Sequence, residues 1–150
     1  MQDANLTSYS FFKGMKKEHL DLLSKHVSKD NFKINEYIFK EKEEASKLFL
    51  ILKGKVSIEV TSPEGKPFSI QVLKEGDILG WSWLIPPHEW RFSARAMEGT
   101  EMLIMDGEYL REKSKKDHDL GYELFRRLAD VFVQRLEATR KQLIEMYHAV

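Results

Sequence analysis

The sequence predicts an α+β, mostly β fold, in which an antiparallel β-barrel or sandwich lies between a short N-terminal helix and a long C-terminal helix. Residues 10–29 carry apolar side chains at spacings of three and four, and residues 117–147 do so again over a longer stretch. Between them, residues 31–106 divide into short apolar segments separated by turns. A chain of 150 residues fits one domain, so we expect a single domain over residues 1–150.

The N-terminal helix is predicted from apolar residues that share one helical face, namely Met15, Leu20, Leu22, Leu23 and Val27. The strand candidates that follow are rich in Ile, Val, Phe and Leu, and several alternate in polarity as half-buried strands do. Glycine-containing turns separate many of them. The candidates are Phe32–Phe39, Leu48–Leu52, Lys55–Thr61, Phe68–Leu73, Phe92–Met97 and Met102–Met105.

One apolar segment inside the strand region is not a strand candidate. Residues 80–85 read Gly-Trp-Ser-Trp-Leu-Ile, and Pro86 and Pro87 follow directly. Because proline has no N–H to donate and cannot continue a helix, we expect a single helical turn at residues 81–85, inserted between two strands.

The C-terminal helix carries two apolar stripes. The first comprises Phe125, Leu128, Phe132, Leu136, Thr139, Leu143 and Met146, which step by three or four residues throughout. The second comprises Leu120, Leu124, Val131 and Ala138. A helix of this length spans about 45 Å, which is longer than a domain of this size needs. We therefore expect the second stripe to cover the barrel and the first to join two copies of the chain in a homodimer.

The composition argues against several classes of protein. Basic and acidic residues number 24 each, and a nucleic-acid binder usually needs a basic excess to contact phosphates. There is no cysteine, and no signal peptide or membrane span is recognisable, so we expect a cytoplasmic protein without a membrane partner. The basic cluster Lys113, Lys115 and Lys116 is followed at once by aspartates, and we interpret it as a solvated turn.

The sequence contains no recognisable catalytic or metal-binding pattern. No two of the five histidines lie closer than seven residues, so no strand carries the H-x-H pair of a barrel metal site. Nucleophile elbows and phosphate-binding glycine loops are also missing. The sequence therefore predicts a protein that is not an enzyme, with no metal site and no cofactor. The histidines are His19, His26, His88, His118 and His148.

The order of elements and several short phrases resemble the cyclic nucleotide-binding domain family. The phrases are FFKGM at residues 11–15, IFKE at 38–41, LILKGKV at 50–56 and EGDILG at 75–80. The resemblance covers roughly residues 10–147 and is strongest to the effector half of Crp/Fnr-type bacterial regulators, similar to catabolite activators. It implies an antiparallel β-roll of the jelly-roll type, similar to the cupin-like double-stranded β-helix.

The ligand site of that family is a phosphate-binding cassette of the form G-E-x-x-L…R-x-A. The resemblance implies that backbone N–H groups bind the cyclic phosphate, that the Glu accepts from the ribose, and that the Arg pairs with the phosphate. Here Gly80 matches the Gly and Leu84 matches the Leu, with Ser82 and Trp83 between them. Trp81 stands in the position of the Glu, so the ribose acceptor is missing.

Two alignments compete for the arginine position. Counted from the cassette glycine without a gap, Arg91 takes the phosphate position and Ser93 the small position. Aligned on the following strand, Trp90 takes the arginine position and Phe92 the small one. Strand alternation favours the second alignment, because the first would turn Arg95 into the barrel.

The long helix also departs from the family pattern. Thr139 matches a threonine that lies near the dimer axis and reaches the purine, whereas Arg140 replaces a serine that the partner subunit contributes. Three interpretations of the pocket remain open. It is a lost site whose aromatics complete the core, a re-specialised pocket for a small anionic or aromatic ligand, or a site that still binds cyclic AMP or another cyclic nucleotide.

The chain ends eleven residues after Thr139, where the hinge to a DNA-binding domain would begin, so we expect no nucleic acid to bind this chain. The leading hypothesis is a stand-alone, dimeric sensory or regulatory domain with altered ligand specificity or lost cyclic nucleotide binding, which signals to a downstream protein partner. The alternative is a structural adaptor whose barrel pocket is filled by its own aromatics and binds no small molecule.

Overall fold

The structure, a computed structural model, describes residues 6–148. Its helices are α1 (Lys17–Ser24), α2 (Gly107–Lys116) and α3 (His118–His148). Its strands are β1 (Val27–Phe32), β2 (Tyr37–Phe39), β3 (Lys47–Lys53), β4 (Lys55–Thr61), β5 (Pro67–Lys74), β6 (Ile78–Leu79), β7 (Ser93–Ala96) and β8 (Thr100–Asp106). These strands form two four-stranded antiparallel sheets, ordered β1-β8-β3-β6 and β2-β7-β4-β5. The predicted α+β fold, with a short helix before the roll and a long one after it, is confirmed.

The core has two parts that share the strands β3 and β8. The inner core lies between the two sheets and includes Phe49, Ile51 and Met102. The outer core lies between the first sheet and the helices and includes Leu48 and Leu50. Because successive residues of a strand point to opposite faces, β3 contributes alternately to the two cores. This is why the strand is apolar on both faces.

The N-terminal helix is shorter than the predicted residues 10–29. The structure has a 3-10 turn at Leu6–Ser8 and a regular helix only at Lys17–Ser24. Gly14 adopts a φ of 81°, a left-handed conformation that interrupts a helix. From Val27 onward the chain pairs with β8 instead of extending α1. Pairing with a distant strand therefore overrides the helical spacing of this segment.

The predicted strand Phe32–Phe39 is in fact two strands that belong to different sheets. The first, β1, ends at Phe32, and a turn precedes β2. Within this turn Asn35 has a φ of 72°, and the Glu36 N–H donates to the Lys33 carbonyl at 3.0 Å. Asparagine tolerates the left-handed conformation, so the turn forms without the Gly or Pro that would indicate it in the sequence.

Two elements, β6 and α2, were not predicted. The helix α2 begins after Asp106, whose side chain accepts from the Tyr109 N–H at 3.0 Å and caps the helix. The basic cluster Lys113, Lys115 and Lys116 lies in its last turn, so the interpretation as a solvated turn is wrong. Cations are favoured at this end because the helix dipole is negative there.

The helix α3 agrees with its predicted bounds to within one residue at each end. Leu120, Leu124 and Val131 of the second stripe are buried in the outer core, while Ala138 is exposed. From Leu136 onward every described residue of the helix is exposed. None of the helices described between residues 6 and 148 combines the length and apolarity needed to cross a membrane.

Candidate functional site

Gly80 follows β6 and begins the loop that carries the candidate cassette. Its φ is 93°, in the left-handed region. A Cβ at this position would lie 2.8 Å from the ring of Trp90 and 3.1 Å from the carbonyl oxygen of Lys47. Both the backbone conformation and the close packing therefore require glycine.

The candidate segment 81–85 forms no regular helix, but its two successive turns have the hydrogen-bond spacing of a single 3-10 turn. The Leu84 N–H donates to the Trp81 carbonyl at 3.0 Å, and the Ile85 N–H donates to the Ser82 carbonyl at 3.3 Å. The two prolines that follow have no N–H with which to extend this pattern.

The side chains of this loop point in different directions. Trp83 is 1% exposed in the outer core, and its Nε1–H donates to the Gly80 carbonyl at 2.9 Å. Ser82 is also buried, and its hydroxyl has no hydrogen-bond partner among residues 6–148. Leu84 lines a surface groove. It is Trp81 that contacts the aromatic residues of the barrel interior.

Aromatic rings fill the barrel beside Gly80. Trp90 is 4% exposed and stacks on Phe39, with 3.7 Å between the ring centroids and 10° between the ring planes. Phe92 is buried as well, with its centroid 5.7 Å from that of Phe39. Phe49 lies on the other side, 6.3 Å from Trp90. Trp90 lies directly against Gly80, and the other rings pack around Trp90 and Phe39.

The burial of the side chains in residues 90–96 is the pattern that the second alignment assumes. Ala94 and Ala96 of β7 are fully buried, and Trp90 and Phe92, which precede this strand, are buried as well. Arg91 is exposed and donates to a backbone carbonyl of the neighbouring loop at 3.3 Å. The first alignment would require Arg91 and Ser93 to face the interior, whereas Arg91 is exposed and Ser93 is half-buried.

An ion pair with a buried carboxylate, on the outer face of the second sheet, was not among the predicted site residues. Glu59 is 3% exposed and accepts from the Arg95 Nε at 2.7 Å and from the Tyr37 hydroxyl at 3.0 Å. Burial and the hydrogen bond to Glu59 raise the pKa of Tyr37, and the same carboxylate raises the pKa of Arg95. Both carboxylate oxygens have partners, so this group ties three strands together. Strand alternation, which places Glu59 and Arg95 on one face, was the signal for it.

Trp81 connects the barrel interior to α3. Its ring centroid lies 5.4 Å from that of Phe92 and 5.1 Å from that of Phe132, and both pairs are T-shaped. The Arg135 guanidinium lies 5.6 Å from the centroid of the same ring, in a cation–π arrangement, and donates to the carbonyl at the start of β6. Burial lowers the pKa of Arg135, while the charge of Asp77 acts in the opposite direction.

The predicted dimer residues divide between the barrel and the solvent. Leu128 is fully buried in the outer core, so its assignment to the dimer contact is wrong, and Phe132 is half-buried against Trp81. Thr139 is exposed and donates to the Arg135 carbonyl of its own helix at 2.9 Å, and Arg140 is exposed beside it. The remaining four, Phe125, Leu136, Leu143 and Met146, are 52–69% exposed.

These four residues belong to a larger exposed apolar stripe on α3, which also includes Tyr122, Val133, Ile144 and Tyr147. An apolar groove of about 590 Å³ lies beside the first half of the stripe. It is lined by Leu84, Pro86, His88, Arg111, Ser114, Lys115, His118, Gly121, Tyr122 and Phe125, and so lies outside the barrel. Within residues 6–148, no group of three or more His, Asp or Glu side chains is arranged to hold a metal ion.

Known proteins share both the sequence pattern and the fold. The family model described as "Cyclic nucleotide-binding domain" matches residues 29–117, more than half of the chain. A CRP-like cAMP-activated global transcriptional regulator of Mycobacterium tuberculosis is 24% identical over 144 residues, which are 96% of this chain and 62% of that protein. The chain therefore spans less than two thirds of the length of this relative.

Two crystal structures show how far the similarity in fold extends. A Geobacter metallireducens protein, provisionally named a cyclic nucleotide-binding protein, is 29% identical with a TM-score of 0.82, and the match covers 91% of this chain and 98% of that one. The Thermus thermophilus catabolite activator protein is 24% identical with a TM-score of 0.70, over 91% of this chain and 62% of that one.

Proposed function

Because the chain belongs to the cyclic nucleotide-binding domain family, we propose that it is a dimeric, cytoplasmic regulatory domain that has lost cyclic AMP binding in its barrel. Its relatives are CRP-like regulators and are not enzymes. The observation that carries the proposal is Trp90, which stacks on Phe39 and covers Gly80 where the ligand pocket of a cyclic nucleotide-binding barrel is expected. The lack of cysteine suits a reducing compartment.

The substituted residues would weaken each of the main contacts to a cyclic nucleotide. A ribose hydroxyl without its acceptor at Trp81 loses about 1–3 kcal/mol. A desolvated phosphate without its guanidinium at Trp90 loses about 2–5 kcal/mol. Together these losses correspond to roughly two to six decades in affinity. The stacked rings would also have to leave the interior before a nucleotide entered it, which adds to the cost.

The exposed apolar stripe supports a homodimer through α3. CRP-like proteins dimerise through their C-terminal helix, and in this chain the stripe presents Phe125, Leu136, Leu143 and Met146 to the solvent. Several large exposed apolar side chains on one helix are typical of a protein contact. A second copy that packs along α3 would bury them.

A signal in such a domain passes between the barrel and the helix, and the contacts of Trp81 with both support such a route here. It contacts Phe92 in the barrel and Phe132 and Arg135 on α3. Movement of the loop at residues 80–88 would therefore change how α3 packs and what it presents to a downstream protein. The filled barrel also favours a second candidate function, an adaptor that binds its partner through α3 and responds to no small molecule.

Isothermal titration with cyclic AMP and cyclic GMP tests the loss of binding. We expect no heat of binding, and a dissociation constant below about 10 μM for either nucleotide would contradict the proposal. The triple variant Trp81→Glu/Trp90→Arg/Phe92→Ala restores the family residues and should gain measurable affinity for cyclic AMP. Its circular dichroism and cooperative unfolding establish that it is folded before the titration is interpreted.

The matched control is Arg91→Ala, which removes an exposed guanidinium outside the barrel. It should leave both the parent chain and the triple variant unchanged. If instead the parent chain binds a nucleotide and Arg91→Ala abolishes that binding, Arg91 contacts the phosphate and the barrel site is intact.

A further inference from the structure

A second cavity, of about 290 Å³, lies on a different side of α3 from the apolar groove. Three segments form it, namely residues 10–13, the turn between β5 and β6 at residues 76–78, and residues 126–135 of α3. Its volume is close to the lower limit of small-molecule sites, about 300–1,000 Å³. Its lining is mostly polar or charged and comprises Ser10, Phe11, Lys13, Gly76, Asp77, Ile78, Arg126, Arg127, Asp130, Val131, Gln134 and Arg135.

Arg127 is a buried cation that lines this cavity. It is 8% exposed, and its guanidinium donates to the carbonyls of Phe11 at 2.6 Å and Lys13 at 3.0 Å and to the Glu123 carboxylate at 3.1 Å. Its Nε–H is buried and has no hydrogen-bond partner within residues 6–148. A buried donor without an acceptor is unfavourable and rare in folded proteins. Glu123 balances the charge of Arg127, but no described residue accepts a hydrogen bond from its Nε–H.

Three further cations and two carboxylates line the cavity. In the described part of the chain, the side chains of Lys13 and Arg126 are exposed and make neither an ion pair nor a hydrogen bond. Arg135 donates to a backbone carbonyl, and no carboxylate of residues 6–148 lies within ion-pair distance of it. Asp77 accepts a backbone N–H at 2.9 Å, and Asp130 accepts a long bond of 3.5 Å from a side-chain amide. Positive charge therefore exceeds negative charge, and both signs face the same space.

We propose that this cavity is a binding site for a small organic oxyanion, either a phosphate or a carboxylate, that also carries hydroxyl or ammonium groups. Arg126 and Lys13 bind the oxyanion, and the positive charge of the buried Arg127, which lines the same cavity, attracts it. Asp77 and Asp130 accept hydrogen bonds from the donors of the ligand. Guanidinium groups suit this role because their planar set of donors pairs with two oxygens of one anion.

Arg135 links the cavity to Trp81, the residue that connects the barrel interior to α3. The same side chain lines the cavity and lies over the Trp81 ring. An anion beside Arg135 changes the charge next to that indole, and it changes the packing of Trp81 between the loop and α3. The ligand thus acts on the helix without entering the barrel. Binding at this cavity does not depend on the proposed loss of cyclic AMP binding and goes beyond it.

The test uses the whole chain with inorganic phosphate and with glycerol 3-phosphate, at constant ionic strength. Binding is followed by calorimetry and by tryptophan fluorescence, and Trp81→Phe identifies the part of the signal that comes from Trp81. We expect saturable binding of both probes, tighter for glycerol 3-phosphate because its hydroxyls reach the two aspartates. The double variant Lys13→Gln/Arg126→Gln should weaken binding by about tenfold or more, since it removes two charge-assisted hydrogen bonds.

The matched control is Lys33→Gln/Lys66→Gln, which removes the same charge from two exposed lysines that do not line the cavity. It should leave both affinities unchanged, and both double variants should melt at the temperature of the parent chain. Affinity that falls equally in the two double variants, or not at all in the first, overturns the proposal. So does a failure of both probes to bind more tightly than about 10 mM.

Discussion

Truncation of Trp90 tests whether the barrel interior is closed by its own side chains. The ring is 4% exposed and stacks on Phe39 at 3.7 Å. Replacing a buried Trp with Ala typically costs about 3–5 kcal/mol, because the transfer free energy of the ring is lost and a cavity remains. The rigid aromatic surroundings limit collapse, so we expect Trp90→Ala to lower the free energy of unfolding by roughly 3–5 kcal/mol. This is a large fraction of the about 5–15 kcal/mol that stabilises an ordinary domain.

Urea unfolding followed by circular dichroism measures this change. Phe68→Ala is the matched control, because Phe68 is an aromatic residue of the roll, in β5, but is 61% exposed. It should change the free energy of unfolding by no more than about 0.5 kcal/mol. If Trp90→Ala loses less than about 1 kcal/mol, the ring is not packed in the interior, and the main support for lost cyclic AMP binding disappears.

The cavity in Trp90→Ala also provides an independent check on its location. A dry, apolar cavity of this kind binds small aromatic molecules. Indole should therefore stabilise Trp90→Ala, by about 2.7 kcal/mol at a concentration one hundred times its dissociation constant. The parent chain and Phe68→Ala should show no such stabilisation. An equal effect of indole on all three chains would mean that it binds elsewhere.

Two further predictions concern α3. The double variant Leu136→Glu/Leu143→Glu should convert a dimer to a monomer without unfolding the domain, because both side chains are more than half exposed in the single chain. Sedimentation measures this change, and a parent chain that sediments as a monomer at tens of micromolar contradicts the dimer. Burial raises the pKa of Glu123, but hydrogen bonds from His19 and Arg127 outweigh it and hold the pKa below its usual value of 4.5. The stabilisation from Glu123 is therefore complete above that value and is lost as pH falls through the lower pKa of the folded state. Between about pH 6 and 3, the urea midpoint should fall less steeply with decreasing pH in Glu123→Gln than in the parent chain. Equal slopes in the two chains would contradict this role of Glu123.

Elements whose ends carry local signals could be predicted from the sequence. The strand β4 has the predicted bounds, Lys55–Thr61. Gly54, which precedes it, has a φ of 111° and lies so close to Thr100 that an added Cβ would be 2.5 Å from its hydroxyl oxygen. The strand β1 is different, because its spacing is helical and its pairing with β8 decides its conformation. The strand β6 has two residues, too few to show any period.

The candidate site was predictable in part for the same reason. Alternation through Ala94 and Ala96 correctly places Trp90 inside the roll. The direction of Trp83 depends on a close approach to Gly107, where an added Cβ would lie 2.6 Å from the indole, and no local pattern indicates this. Arg127 interrupts an apolar stripe, and its buried position depends on carbonyl acceptors more than 110 residues away in the sequence. Periodicity counts apolar residues and cannot detect such a group.

The alternating contribution of β3 to two cores restricts how this strand can change in length. Leu48 and Leu50 face the helices, whereas Phe49 and Ile51 face the opposite sheet. One inserted or deleted residue before them would exchange the two sets. Phe49 would then face the helices in the outer core, and the inner core would lose the ring of Phe49. Substitutions in β3 can be accommodated one side chain at a time, but insertions and deletions disrupt both layers together. Changes of length are therefore confined to loops such as the β4–β5 turn, where Gly65 has open space around it.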